Sequence, residues 1–370
     1  MKIQGLRRTD ALGATAILLL AGCAQPASSQ PVANPVMIMP NETSPSGKFV
    51  PPAGRTLFII GQDNDTIGEY MDAIPLPQPG GVTSYTSLDR LEGLTSMIDY
   101  GAGTVFLDEL AKSQPQGIIS LGLYLVGYLT EITSGQADHQ IDSLLDLLSS
   151  YQRPVFLRFG YEFDGMWNHY DPEEYKQAWI YFRNRMLERD IPNIAMVWQS
   201  ATYCDGTYQQ KPIEAWYPGD GNVDWMALSL FTQADCGYRP LDELLDFARV
   251  HNKPVMVAEA APQRYETGKL TYSVMGKEFE ARTAGQIWGE WYAPFFKYVH
   301  DHADLIRAVA YINTCWDSQP MWGEPYQNGY WGDSRVQAND LIKEHWLAEL
   351  DQNFWLMGGP DLLASLGYSK

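Results

Sequence analysis

Eight short apolar runs, separated by stretches that include helical patterns, set what this chain can fold into. They cover residues 57–61, 82–88, 118–125, 154–160, 194–198, 223–231, 254–258 and 306–313. Most lack strict apolar–polar alternation. Continuous apolar runs of this length suit strands covered on both faces, as in a parallel sheet. Between them, 138–150 carries Ile141, Leu144, Leu145 and Leu148 on one helical stripe. Segment 172–189 follows Asp171, a natural N-cap, and 241–251 precedes the seventh run. Strand–helix alternation argues an α/β fold. Eight repeats over roughly 300 residues argue a closed (β/α)8 TIM barrel. The alternative is an open doubly wound sheet, but no G-x-G-x-x-G follows the first run. The second run, with its Thr and Ser, and the stretch 91–116 fit the pattern least well.

The first 55 residues stand outside this pattern. Lys2, Arg7 and Arg8 precede an apolar run at 11–20, too short for a membrane span of about 20 residues. Residues 1–22 therefore read as a secretory signal. The string Leu20-Ala21-Gly22-Cys23 resembles a bacterial lipobox, which implies cleavage before Cys23 and a lipid on its thiol; an ordinary signal peptide with a chance Cys is the alternative. The expected protein is exported and lipid-anchored. It would sit on the outer membrane of a Gram-negative source, facing the periplasm or the cell surface. Residues 23–55, rich in Pro, Ser and Ala, read as a tether. Residues 56–370 are expected to form one catalytic domain.

Composition excludes some functions. Hydrophobic residues make up 45% of 370, so a large core is available and wholesale disorder is excluded. The net charge is −19, falling to −21 without the leader's Lys2, Arg7, Arg8 and Asp10, which opposes binding to nucleic acid. The six His form no metal-ligand pattern, and neither a metal nor a cofactor is expected. A monomer is the expected state. Cys204 follows the fifth run and Cys236 the sixth, so a disulfide between neighbouring loops is expected, leaving Cys315 as a buried free thiol.

Parallel barrels carry their chemistry at the C-terminal ends of the strands. Two acids each close a strongly apolar run there: Glu162 after the fourth and Glu259 after the seventh. A carboxylate at such a place is costly to desolvate without partners. Paired carboxyl groups at a barrel mouth suit cleavage of glycosidic bonds, with one as proton donor and the other as nucleophile or base. Arg158, four residues before Glu162, could hold a carboxylate ionised or form a structural ion pair. Trp167, Trp198 and Trp316 could stack on sugar rings, although Trp198 reads equally well as core. Asp164 and Asn168 could bond sugar hydroxyls or shape a turn. The aromatic-rich stretch 316–331 reads as a long loop that could wall the cleft.

The stretch Pro154 to Asn168, PVFLRFGYEFDGMWN, resembles the strand-four motif of glycoside hydrolase family 26, the β-mannanase and β-1,3-xylanase family. Pro154, Arg158, Glu162, Gly165 and Trp167 fall on matching positions. WYPGDGNVDWMAL, Trp216 to Leu228, resembles the family's segment leading into strand six. NIAMVWQ and KPVMVAE resemble its strands five and seven. The resemblance implies a retaining, endo-acting glycosidase on a β-linked polysaccharide of the mannan, xylan or β-glucan class. Glu162 would be the acid/base, Glu259 the nucleophile and Trp316 the sugar platform. Three positions depart from the family, and the first and third bear on the subsite that reads the sugar rather than on the carboxyl pair. Tyr161 stands where the family has His, Asp164 where it has Asn, and Phe231 where it has a Tyr that contacts the nucleophile. A non-catalytic glycan-binding lipoprotein and an exo-acting β-glycosidase remain the alternatives.

Overall fold

The computed structural model describes residues 45–203, 211–231 and 237–369. All eight apolar runs are strands: β1 Thr56–Gly61, β2 Gly81–Ser87, β3 Ile118–Tyr124, β4 Val155–Phe159, β5 Ile194–Ser200, β6 Trp225–Leu230, β7 Val255–Ala260 and β8 Ile306–Ile312. They pair in sequence order, all parallel, and β8 closes on β1 through Leu57↔Ala308 to Gly61↔Ile312. The result is a closed (β/α)8 barrel.

The longer helices among the described residues are α1 Asn64–Ala73, α2 Leu107–Ser113, α3 Asp138–Ser150, α4 Pro172–Glu188, α5 Arg239–Val250, α6 Ala293–Asp301 and α7 Asp340–Leu350. Asp171 caps α4 as expected, accepting from the Glu173 N–H at 2.9 Å. The β5–β6 connection holds one short 3-10 helix, Ile213–Trp216, among its described residues.

Alternate strand residues divide two cores. Leu57, Ile59, Phe156, Val197, Trp225, Ala227, Met256, Ala258, Ala308 and Ala310 fill the barrel. Their sequence neighbours pack outward against the helices. Residues 45–55, expected as part of the tether, instead belong to this domain. Phe49 packs edge-to-face on the barrel residue Phe156 at 6.1 Å and on Tyr368 at 5.9 Å. The Lys48 carbonyl receives the Trp225 indole at 2.7 Å, and Arg307 donates to the Pro51 carbonyl at 2.6 Å. An apolar barrel floor needs a cover, and this segment supplies one. Residues 1–44, including Cys23 and the expected leader, lie outside the described residues.

Beyond β7 the chain builds a small sheet from Tyr265–Glu266, Thr271–Tyr272 and Glu280–Ala281, joined by Gly332–Asp333 from the loop after β8. This stretch and the loop after β8 both emerge from the C-terminal ends of their strands.

Candidate active site

Strand periodicity decides which side chains reach the mouth. Phe156 and Val197 line the barrel, so Arg158 and Gln199, two residues further on, share their faces. By the same parity Ser229 follows Ala227 on β6. Neighbouring registers set Tyr85 beside Gly122 and Gly122 beside Arg158. A Cβ at position 122 would lie 2.6 Å from the Tyr85 ring and 3.0 Å from Arg158 Nη2, so glycine there makes room for both.

Glu259 reaches this group through a bulge. Along β7, Val257 pairs with Leu228 and Glu259 with Ser229, so Ala258 is one residue in excess of β6. Against β8 the same stretch is again one residue too long, with Val257 opposite Val309 and Ala260 opposite Tyr311. Ala258 already faces the barrel core, and strict alternation would send Glu259 outward. The extra residue turns Glu259 inward instead. There Arg158 Nη1 donates to Glu259 Oε1 at 2.5 Å and the Tyr85 phenol donates to the same oxygen at 3.1 Å.

Glu162 sits on a tight turn. Gly160 and Glu162 both have φ of +54°. A Cβ on Gly160 would meet the Tyr175 ring at 2.9 Å, so that position needs glycine for conformation and for space. Positive φ at Glu162 is unfavourable for a non-glycine residue and persists because neighbours hold it. The buried Asn168 amide donates to the Tyr161 carbonyl at 3.0 Å and to the Glu162 carbonyl at 2.7 Å. The Phe163 N–H donates to the Gln199 carbonyl at 3.2 Å. Asp164 ties the turn to the end of β5, accepting from Ser200 Oγ at 2.6 Å and the Ala201 N–H at 2.7 Å.

The two acids share one hydrogen-bonded chain. Ser229 Oγ donates to Glu162 Oε1 at 2.7 Å, and Gln199 Nε2 donates to Ser229 Oγ at 3.1 Å. Arg158 Nη1 donates to Gln199 Oε1 at 3.1 Å as well as to Glu259. Burial, and then the nearby Glu259 charge, push the Glu162 carboxyl up to about 8. Arg158 is fully buried, and its Nε and Nη2 have no hydrogen-bond partner. Its guanidinium lies 4.8 Å from the centre of the Tyr85 ring and 5.4 Å from that of Tyr161, and these π-faces offset part of its desolvation. Tyr161, half-buried, meets Tyr85 edge-to-face at 5.5 Å.

The aromatic residues separate into three settings. Trp167 is 43% exposed and meets Tyr203, 40% exposed, at 5.5 Å on the rim. Trp316 is only 2% exposed, gathered with Trp322, Trp331 and Phe231 into one cluster beside the end of β8. Trp198, expected among the sugar-contacting residues, is a core residue. It is fully buried in the helical layer, stacked on Phe163 at 4.5 Å, with its indole donating to the Trp216 carbonyl at 3.3 Å. Its neighbours Val197 and Gln199 point into the barrel, so Trp198 points away. Sequence reasoning gave no role to Tyr85 and Ser229 inside their runs or to Gln199 at the end of the fifth. The available signal was a polar residue at inward parity near the end of an apolar strand. The phenol that reaches Glu259 comes from Tyr85 on β2 and not from position 231. Cys315 is free and half-buried; Cys204 and Cys236 lie outside the described residues. Among those residues, no group of three His, Cys, Asp or Glu could hold a metal ion, and no helix is long and apolar enough to cross a membrane.

A closed parallel barrel with interacting carboxyl groups at its C-terminal mouth is the frame of a (β/α)8 glycoside hydrolase. The family model described as glycosyl hydrolase family 26 matches residues 134–315. The beta-1,3-xylanase TXYA of Vibrio sp is 40% identical over 328 residues, 88% of this chain and 70% of that protein. A beta-1,3-xylanase of Alcaligenes sp is 40% identical over 327 residues, 87% and 69% of the two chains. Among solved structures, an endo-beta-1,4-mannanase double mutant from Cellulomonas fimi aligns with a TM-score of 0.55 at 14% identity, covering 84% of this chain and 74% of its own. A beta-mannanase from Bacteroides ovatus aligns with a TM-score of 0.52 at 14% identity, covering 86% and 93%; these two bear on the fold alone. The chain belongs to glycosyl hydrolase family 26 and is a glycoside hydrolase that acts on polysaccharide.

Proposed function

We propose that this protein is a retaining endo-β-1,3-xylanase, with Glu162 as acid/base and Glu259 as nucleophile. The observation that carries the mechanism is the unlike environment of two linked acids. Glu162 is dry enough to keep its proton near neutral pH, with its carboxyl pushed up to about 8. Glu259 faces two donors, Arg158 and Tyr85, as an acceptor. In the first step Glu259 attacks the anomeric carbon while Glu162 protonates the departing glycosidic oxygen. In the second, Glu162 takes a proton from water, which attacks the same carbon and releases Glu259.

The sugar assignment rests on the two β-1,3-xylanases at 40% identity. Endo action is supported by where large apolar side chains stay exposed. Tyr124 ends β3, and Tyr100, Trp167, Tyr203, Phe279 and Met321 lie on segments that follow the C-terminal ends of barrel strands. Such a rim suits a long chain laid across the mouth. The Cys23 motif supports a lipid anchor, at the outer membrane if the source is Gram-negative, and Cys23→Ser would then move the protein to the soluble fraction.

The test is a panel of β-1,3-xylan, β-1,4-xylan, β-1,4-mannan and β-glucan, read by product length and by NMR of the first product anomer. Mixed oligosaccharides from β-1,3-xylan with retained configuration are expected. Cleavage of another glycan alone would overturn the sugar, single-size products the endo action, and inverted configuration the mechanism. Glu259→Ala should abolish turnover on every substrate. Glu162→Ala should spare kcat/KM on aryl glycosides with good leaving groups but lower kcat, since the second step lacks its base, and azide should partly restore that turnover.

A further inference from the structure

We propose that Gln199 and Ser229 form a one-way hydrogen-bond relay from Arg158 that fixes which oxygen of Glu162 carries its proton and steadies Glu162 in its ionised form. The inference deepens the acid/base reading of Glu162 and rests on it.

The direction follows from the donor inventory. A guanidinium has donors only. Arg158 Nη1 therefore requires an acceptor at 3.1 Å, and Gln199 must present Oε1 to it. That orientation leaves the Gln199 amide nitrogen facing Ser229 Oγ at 3.1 Å. The nitrogen can only donate, so the hydroxyl accepts there and is left with its single proton. It spends that proton on Glu162 Oε1 at 2.7 Å. The amide cannot flip without losing the Arg158 contact; were neutral Glu162 to donate to Ser229 Oγ instead, the Ser229 proton would have to leave Oε1, its one acceptor among the described residues. Gln199 is fully buried and Ser229 nearly so, so competing water has little access.

Two consequences follow for the reaction. While Ser229 donates to it Oε1 is an acceptor, so the acidic proton of Glu162 resides on Oε2, and the leaving group is protonated from that oxygen. A hydroxyl donating to a carboxyl also favours its charged form. Burial and the Glu259 charge hold the Glu162 carboxyl high, and the Ser229 hydrogen bond acts against them. The proton is thereby kept for the first step and is still released in the second. Once Glu259 is bonded to sugar its charge is gone, while the Ser229 donor remains to support Glu162 as the base. Gln199 and Ser229 are positioning residues, since neither is assigned to touch the sugar.

The test reads Glu162 directly and needs no substrate. The protein is labelled with 13C at glutamate carboxyl groups, and the Glu162 signal is identified by its loss in Glu162→Gln. Ser229→Ala should raise the Glu162 titration midpoint by about one pH unit, the loss of one hydrogen bond to a charged group. Ser229→Thr, which keeps the hydroxyl, should restore it. Gln199→Glu, close in shape, can only accept, so it turns the Ser229 proton away from Glu162 and should also raise the midpoint. A midpoint that is unmoved or lowered in Ser229→Ala overturns the relay. On an aryl β-1,3-xylobioside with a good leaving group, Ser229→Ala should lower kcat about tenfold and spare kcat/KM, because only the second step needs ionised Glu162. Equal falls in both would mark a merely structural role and overturn the proposal. Full activity in Glu162→Ala on β-1,3-xylan would instead overturn the acid/base reading, whatever the titration shows of the relay.

Discussion

Replacing Glu162 with Gln should make the protein more stable as the pH rises. The side chain is half-buried, and its carboxyl moves from 4.5 in the unfolded chain to about 8 in the fold. A raised carboxyl favours the folded state fully below 4.5 and loses that advantage as the pH climbs through about 8. At about 1.36 kcal/mol per pH unit the loss reaches about 5 kcal/mol above pH 8 and about 3 kcal/mol at pH 7. Gln is neutral throughout and keeps an oxygen to accept from Ser229, so it avoids this cost with little change in shape. The difference in unfolding free energy, Glu162→Gln variant minus parent, should be near zero at pH 4.5, grow between pH 5 and 8 and level off above. Denaturant unfolding of both proteins across pH 4.5 to 9 measures it, since every other titrating group largely cancels in the difference. Hydrolysis of β-1,3-xylan should be lost in the same variant. A difference that is flat or shrinks with pH would refute the raised carboxyl, and with it the reason for giving Glu162 the acid role.

Glu259→Gln should lower the Glu162 midpoint but leave it above 4.5, because burial outweighs the Glu259 charge among its causes; carboxyl 13C NMR reads this directly. Arg158→Met should destabilise the fold by about 3–5 kcal/mol by stranding a carboxylate at the barrel mouth, and cut kcat/KM on β-1,3-xylan at least 100-fold; denaturant unfolding and initial rates check both. Trp198→Ala should cost about 3–5 kcal/mol of stability through a core cavity. Trp167→Ala should leave unfolding nearly unchanged and raise KM several-fold, and equal effects from the two would contradict their placement. Gly122→Ala should reduce kcat by displacing Tyr85 or Arg158, with the Tyr85 phenol no longer held on Glu259.

Runs such as Val155–Phe159 and Ile194–Ser200 were legible in the sequence because a strand buried on both faces must be apolar almost throughout. Eight of them in one pattern imply the barrel, and the barrel implies where its chemistry sits. The Glu162 turn was legible too, since its Gly160, Glu162 and Asn168 lie within nine residues. The same uniform apolarity hid what came next. In Ile194–Ser200 neither face is marked, so whether Trp198 or Gln199 looks into the barrel depends on the strands beside it. The inward turn of Glu259 is likewise absent from its own strand, for a bulge exists only relative to the registers of β6 and β8. Tyr85, Ser229 and Arg158 are brought together by Gly122 and by barrel closure, contacts that span up to 174 residues between Tyr85 and Glu259. Phe49 covers the barrel floor across more than 100 residues of chain from Phe156. Local periodicity specifies the elements because backbone hydrogen bonding and side-chain alternation act within a few residues. Which polar groups meet, and therefore which carboxyl keeps its proton, is decided only when distant strands fix one another's register.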